Sequence, residues 1–364
     1  MLCEGGVIVP ALGEVLMSGR RWGLGRDPRV PTVSDVAARA GVSAGTVSKA
    51  LNGRGQLRED TRSRVRRAAD ELGFQPNVLA QGLLAGRSYT VGVITTDSFG
   101  RFTIPVMLGL EDTLDAGQLS VLLCDGRGDP SREQHYLDTL LRRRVDGIVV
   151  TGRRSDPRPP LGSDLPVPVV YVLGPSAAAG DTSVVFDDVQ GGRLAVEHLL
   201  ASGRHRVAHL TGPEHHLSAR LRAQGATQAL AAAGAPALGV HWGVWSEAWG
   251  RDGIERLRAG GVEFDAVFCG SDQIARGALD ALREAGVVVP NDVAVIGFDN
   301  WTVMAEAARP ALSTVDPGLT ALGHQAATRL LEAIDGRPAA GVHLNPCQLV
   351  VRDSTVSGAL LPPG

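Results

Sequence analysis

The residues best equipped for chemistry in this chain are dispersed, and most of them follow strand-like runs. Asp97 ends VGVITTD, with Phe99 and Phe102 in the loop behind it. Arg220 lies in HLSARLR, Trp245 in GVWSEAWG, Ser271 and Asp272 behind VFCG, and Asp299 with Asn300 behind VIGF. Arginine presents a planar fork of donors, aspartate accepts from paired hydroxyls, and tryptophan offers a flat apolar face. Together they suit a polyhydroxylated ligand with a ring. Each also has a plainer reading: Arg220 as a surface helix residue, Trp245 as a core tryptophan, Asp272 as a helix cap. Trp242 and Trp249 flank Trp245 too closely for all three to line one pocket, so at least one of them packs. His205, His209, His215 and His216 fall within twelve residues. The stretch Arg206 to Thr211 reads as a strand, however, so no helical HxxxH pair forms and no metal is expected. His215 or His216 is still placed to touch a ligand near Arg220. No GxGxxG after a strand, GxxxxGK[ST], GxSxG or HExxH occurs, so neither an enzyme nor a bound cofactor is expected.

These residues need a scaffold that brings strand ends together. From Tyr89 to about Val356 the sequence alternates apolar runs with helical stretches. The runs are VGVITTD (91–97), SVLLCDG (120–126), DGIVVTG (146–152), PVVYVLG (168–174), RVAHLTG (206–212), DAVFCGSD (265–272) and VAVIGFDN (293–300). Arg276 to Ala285 and Leu319 to Ile334 are examples of the intervening helices. Continuous apolar strands alternating with helices imply parallel sheets covered on both faces. There are too many units for one compact sheet, so two similar lobes are expected. Ligands in such folds sit beyond the carboxyl ends of the strands, where Asp97, Ser271, Asp272 and Asp299 fall.

Residues 31–75 read differently, as three short helices. Thr32 and Asp35 have the spacing of a capping box, followed by Val33, Val36, Ala37 and Ala40 at helical intervals. Gly41 supplies a left-handed turn residue. Ser43 caps a second helix, Ala44 to Leu51, with Val47 and Leu51 expected inward and Asn52-Gly53 closing it. Arg58 to Leu72 forms the third, stopped by Gly73. A helix, glycine turn and helix at this spacing project the second helix outward, able to enter a major groove. Its exposed positions Ala44, Gly45 and Lys49 would face base edges, and Ser43, Thr46, Ser48 and Asn52 suit phosphate oxygens. Lys49 is the only lysine among 36 basic residues. It either reads guanine or contacts phosphate. Pro76-Asn77 opens a further segment, Val78 to Ala85, too short to be a stable helix alone.

Charge supports the division. The chain of 364 residues carries a formal charge of −3. Between Pro31 and Pro76, eight basic residues (Arg39, Lys49, Arg54, Arg58, Arg62, Arg64, Arg66, Arg67) meet five acids (Asp35, Glu59, Asp60, Asp70, Glu71), a surplus of three. A basic head on an acidic body is expected where one end docks on phosphates. Four scattered cysteines, Cys3, Cys124, Cys269 and Cys347, make no CxxC or disulfide pattern and suit a reducing cytosol. No apolar run approaches the ~18 residues of a membrane span. Residues 1–30 lack a secretory pattern and read as a disordered tail or as sequence upstream of a true start, with Met17 the candidate.

TVSDVAARAGVSAGTVSKALNG (32–53), with TRSRVRRAADELGFQPNVLAQGL (61–83), resembles the headpiece of the lactose-repressor (LacI/GalR) family. The VSxxTVSxxLN and FxPN elements are specific, and the likeness continues to Thr355. It implies a sequence-specific DNA-binding regulator, mostly of the repressor kind, acting in the cytoplasm as a homodimer. It implies an all-α helix-turn-helix headpiece (31–75), a hinge (76–88) and a periplasmic-binding-protein-like core (89–356). The core would hold two doubly wound parallel-sheet lobes, about 89–186 with 317–346 and 187–315 with 347–356, followed by a tail (357–364). Position by position, Ala44, Gly45 and Lys49 match base readers and Thr32 and Ser34 lie near the DNA backbone. Asn77 opens the hinge, Ala80 matches a small minor-groove residue, and Leu83 matches a leucine wedged between central base pairs. Arg220, Trp245, Ser271 and Asp299 match positions that contact an effector, a sugar or sugar derivative. Tetramers of the family add a leucine-rich C-terminal helix, whereas this chain ends Leu360-Leu361-Pro362-Pro363-Gly364, which implies a dimer.

Overall fold

The computed structural model describes residues 31–51, 56–74, 87–115 and 119–356. The terminal stretches 1–30 and 357–364 lie outside the described residues, as do the DNA-contact candidates Asn52, Asn77, Ala80 and Leu83. The chain divides into two units, Met1–Gln81 and Gly82–Gly364.

The first unit holds α1 (Val33–Ala40), α2 (Ala44–Leu51) and α3 (Glu59–Leu72). Local chemistry sets their ends. The Asp35 amide donates to Thr32 Oγ1 (3.3 Å) and the Thr32 amide to Asp35 Oδ2 (2.8 Å), the reciprocal capping box. Gly41 ends α1 at φ 65°, a left-handed conformation that favours glycine. The Thr46 amide donates to Ser43 Oγ (3.2 Å), capping α2. Val36, Ala40, Val47, Ala50, Val65 and Ala69 meet in one small core. Ala50, rather than the expected Leu51, takes the fully buried position beside Val47, and Leu51 packs at its edge. An alanine-rich centre brings the three helices close but buries little apolar area.

The second unit contains two six-stranded sheets. The first orders its strands β11-β5-β4-β3-β1-β2, from β1 (Thr90–Thr95), β2 (Ser120–Asp125), β3 (Gly147–Thr151), β4 (Val169–Val172), β5 (Thr182–Phe186) and β11 (Gly341–Asn345). The second orders them β12-β10-β9-β8-β6-β7, from β6 (Val207–Thr211), β7 (Val240–Trp242), β8 (Ala266–Cys269), β9 (Ala294–Phe298), β10 (Ser313–Asp316) and β12 (Gln348–Val350). We call the lobes built on these sheets N and C. All pairings are parallel except β10 with β12, so the C-lobe departs from a purely parallel sheet at one edge. β12 does not follow β10 directly: the chain first passes through the helix Leu319–Ile334 and β11 of the first sheet, and only Pro346 and Cys347 separate β11 from β12.

Among the described residues, eight helices surround the sheets: α4 (Thr103–Asp115), α5 (Pro130–Arg142), α6 (Asp188–Ala201), α7 (Leu217–Ala232), α8 (Glu247–Ala259), α9 (Asp272–Glu284), α10 (Thr302–Ala305) and α11 (Leu319–Ile334). Three pairs cross at reciprocal glycines. A Cβ at Gly225 of α7 would sit 1.9 Å from Val189 O of α6, and one at Gly192 of α6 would sit 2.1 Å from Arg222 O of α7. Gly109 with Gly323 does the same for α4 and α11, and Gly250 with Gly277 for α8 and α9. The α6–α7 crossing matters most here, because it brings the α7 backbone around Arg222 against α6 beside the cleft.

Candidate functional site

The carboxyl ends of both sheets open on a cleft of about 750 Å³ between the lobes, the size range of small-molecule sites. Its C-lobe wall is built around Arg222. On α7 the inward stripe runs Ala219, Arg222, Ala223, Ala226 and Ala229, the spacing of one helical face. Arg220, two residues earlier, therefore points away. It is exposed, gives Nη1 to Glu214 O (3.1 Å), and does not line the cleft. Of the two arginines, Arg222 and not the expected Arg220 lines the cleft. The small residues at i−3, i+1 and i+4 around Arg222 were the available signal.

Arg222 is 5% exposed. Its Nε donates to Asp188 Oδ1 (2.7 Å), and its Nη1 to Gly270 O (2.5 Å) and Asp299 Oδ1 (3.5 Å). The guanidinium lies 3.6 Å from the centroid of the Phe298 ring. Burial pushes the Asp188 carboxyl up to about 6 against the opposing pull of Arg222. Nη2 has no protein partner among the described residues, so one face of the fork remains for a ligand.

Trp245 also lines the cleft, with Nε1 donating to His216 Nδ1 (2.8 Å). A Cβ at Gly212 would sit 2.1 Å from its ring, so only glycine lets the indole lie over the end of β6. Trp249 is the packing member of the trio, buried with Nε1 on Thr211 O (2.9 Å). Ser271 caps α9 through the Ile274 amide (3.3 Å) and lines the cleft, as does Asp299 at φ 106°. Phe102 joins them from the N-lobe.

Two expected ligand residues serve the scaffold instead. The Asp97 carboxylate accepts the Phe102 and Thr103 amides (2.8 and 3.1 Å), holding the loop that carries Phe102. Asp272 is fully buried, accepting the Trp301 amide (2.6 Å) and Thr314 Oγ1 (2.5 Å). Both carboxylates are consumed by neighbours and neither lines the cleft. Residues that the sequence did not point to close the site from the N-lobe. Arg101 forms an ion pair with Asp299, gives Nη1 to Gln273 Oε1 (3.3 Å), and stacks 4.3 Å from the Trp301 ring. Asp156 Oδ1 accepts the Leu217 amide at the start of α7 (2.8 Å).

The first unit presents a different surface. Thr32, Ser34, Ser43, Ala44, Gly45, Ser48 and Lys49 are exposed and Thr46 is half-buried, while Val47 and Ala50 face the core. Alanine, glycine and lysine thus share the outward face of α2. The histidine cluster is scattered by the fold: His209 is buried on β6, stacked 4.4 Å from Phe268, while His215 is exposed. Among the described residues no group of three His, Cys, Asp or Glu side chains is placed to hold a metal.

Comparison with known proteins places both regions of the chain in known families. The profile of bacterial regulatory proteins, lacI family, matches residues 32–77, and that of the periplasmic binding protein-like domain matches 196–355. The transcriptional regulator CelR of Thermobifida fusca is 34% identical over 337 residues, covering 90% of this chain and 98% of its own. The chain belongs to the LacI family. Among solved structures, the lac repressor dimer bound to operator and the anti-inducer ONPF matches with a TM-score of 0.69 at 29% identity, covering 90% of this chain and 99% of that one. The CelR–cellobiose complex matches with a TM-score of 0.63 at 33% identity, covering 89% and 99%. This LacI-family protein is accordingly a DNA-binding transcriptional regulator, with a helix-turn-helix unit for operator DNA and a two-lobed core whose cleft holds an effector. Among its described residues no helix is long and apolar enough to cross a membrane.

Proposed function

We propose that this regulator is a cytoplasmic homodimeric repressor whose effector is a saccharide held between Trp245 and the Arg222–Asp299 pair. The observation that carries the reading is the C-lobe wall. An indole fixed by His216 offers an apolar face for a sugar ring, and a buried guanidinium beside a carboxylate offers donors and acceptors for vicinal hydroxyls. The solved relative bound to cellobiose supports the choice of ligand class. Phe102 and Ser271 complete the contacts.

On DNA, Ala44, Gly45 and Lys49 would read base edges, with Thr32, Ser34, Ser43, Thr46 and Ser48 on phosphates. Lys49 carries the only long polar side chain among the three readers, so direct readout rests on it, with Ala44 available to a thymine methyl. Closure of the lobes on a sugar would change the spacing of the two hinges in a dimer and so operator affinity, a coupling of typically ~1–3 kcal/mol. The chain acts by binding rather than catalysis, as its relatives do. Selection of an operator from random duplexes, followed by thermal-shift screening against sugars, tests the reading. A sugar that raises the melting temperature of the wild type and not of Trp245→Ala supports it. Protection by nucleobases alone would overturn the saccharide assignment.

A further inference from the structure

The charge of the cleft narrows the ligand, resting on the reading of that cleft as the effector site. Arg101, Arg127, Arg153, Arg154, Arg158 and Arg222 all line it, against Glu133, Asp156 and Asp299. The surplus is concentrated at one place. Arg222 is held by Asp188 from behind, Arg101 pairs with Asp299, and Arg158 grips Glu133 through both terminal nitrogens (3.2 and 2.7 Å). Asp156 accepts the Leu217 amide and keeps its charge, which offsets one of the remaining arginines. Arg127, Arg153 and Arg154 are left. Arg127 is partnered by Asp125, its amide donating to Oδ1 (2.9 Å) and its Nε lying 3.7 Å from Oδ2. Arg153 has only the Phe99 ring, 5.9 Å from its guanidinium, and Arg154 makes no side-chain hydrogen bond or ion pair with any described residue.

Arg153 and Arg154 are adjacent in the turn after β3, and that turn is fixed. The Arg158 amide donates to Pro175 O (2.9 Å) and the Ala177 amide to Arg158 O (2.8 Å). A Cβ at Gly174 would stand 2.8 Å from Arg154 O and 3.0 Å from Asp156 O, so the turn is packed against the end of β4. Burial first, and the Arg154 charge second, hold the His216 imidazole below its usual range, which sets Arg154 within electrostatic reach of the Trp245–His216 pair. Arg153 and Arg154, adjacent in sequence, both lining the cleft and without an ion-pair partner among the described residues, offer charged donors suited to a planar or tetrahedral anion. A neutral sugar would leave their mutual repulsion in place.

We propose that the effector is anionic, a saccharide derivative whose phosphate or carboxylate is received by Arg153 and Arg154 while its ring lies on Trp245. Isothermal titration of the full chain with glucose, ribose and cellobiose, with their terminal phosphate esters, with their aldonic acids and with inorganic phosphate tests this. The expected result is that at least one charged derivative binds about tenfold or more tightly than its neutral parent, the worth of one charge-assisted hydrogen bond. That advantage should shrink at 1 M salt, where the Debye length is about 3 Å. The double variant Arg153→Gln, Arg154→Gln should lose it while keeping the wild-type melting temperature. The phosphate and acid arms distinguish the two sources of charge. Neutral sugars binding as tightly as their charged forms, or a double variant that keeps the preference, would overturn the proposal and leave the saccharide reading standing. Phosphate bound through Arg153 and Arg154 with no saccharide bound at all would sink the saccharide reading and keep the charge assignment. Failure of every charged probe would overturn the proposal.

Discussion

The two functional surfaces of this protein are built on opposite terms. In the helix-turn-helix unit the outward face of α2 presents Ala44, Gly45 and Lys49, exposed side chains around which the fold asks for little. In the cleft the key groups are structural as well: Arg222, Asp188 and Asp299 are buried together and satisfy one another. A surface that reads DNA can change its readers without changing its fold. A cleft whose ligand fork also neutralises a buried carboxylate cannot. Stability and function should therefore separate in the first unit and move together in the second.

The largest effect is expected at Arg222. Arg222→Ala leaves Asp188 buried without its partner, which costs about 3–5 kcal/mol for a broken buried pair. Chemical denaturation should show that loss, and calorimetry should show no sugar binding. A variant that keeps its stability would break the contrast. Next is pH. His209 has neither ring nitrogen hydrogen-bonded, and burial lowers it to about 3 from an ordinary 6.5. The native state keeps it neutral, so its contribution is fully present above pH 6.5 and is lost as pH falls from there towards 3. The slope approaches about 1.4 kcal/mol per pH unit for one proton. His209→Phe, stacked on the same Phe268, should flatten the loss between pH 6.5 and 4 in denaturant titrations. An unchanged slope would assign the acid sensitivity elsewhere.

In the first unit, Lys49→Ala should weaken operator binding by about 1–3 kcal/mol in a mobility-shift assay with no change in melting temperature. If only the salt dependence falls and sequence preference stays, Lys49 contacts phosphate. Ser43→Ala removes the α2 cap and should cost about 1 kcal/mol by thermal denaturation. The smallest effect is the sharpest comparison. Arg220→Ala, two residues from Arg222, should lie within about 0.5 kcal/mol of wild type and bind sugar normally.

What could be read from the sequence follows the same contrast. The helices of the first unit were legible to within a residue because their ends are local: Thr32 with Asp35, Gly41, Ser43 and Gly73 act over a few positions. The long parallel strands were legible from their apolar runs, and α11 from its periodicity. The strands β5, β7, β10, β11 and β12 were not reached; each lies at an edge of its sheet or next to one, and β12 pairs antiparallel. Within the cleft, Trp245 was reached by its flat apolar ring and the family resemblance, and Ser271, Asp299 and Phe102 by their place after strands. Asp97 and Asp272 share that place, yet their carboxylates turn to backbone amides and a threonine that only the fold brings near. Arg220 and Arg222 differ by 200° around a helix, and the inward stripe of alanines decides between them. The unpaired turn of Arg153 and Arg154 could be recognised only once the partners of the other arginines were known.

The most direct measurement is reciprocal. With a selected operator duplex labelled for anisotropy, any sugar derivative that raises the melting temperature should shift the operator Kd about 5–150-fold. The operator should then change the affinity for that derivative by the same factor. A ligand that fills the cleft, confirmed by its loss in Trp245→Ala, yet leaves the operator Kd unchanged would contradict the coupling of cleft to DNA.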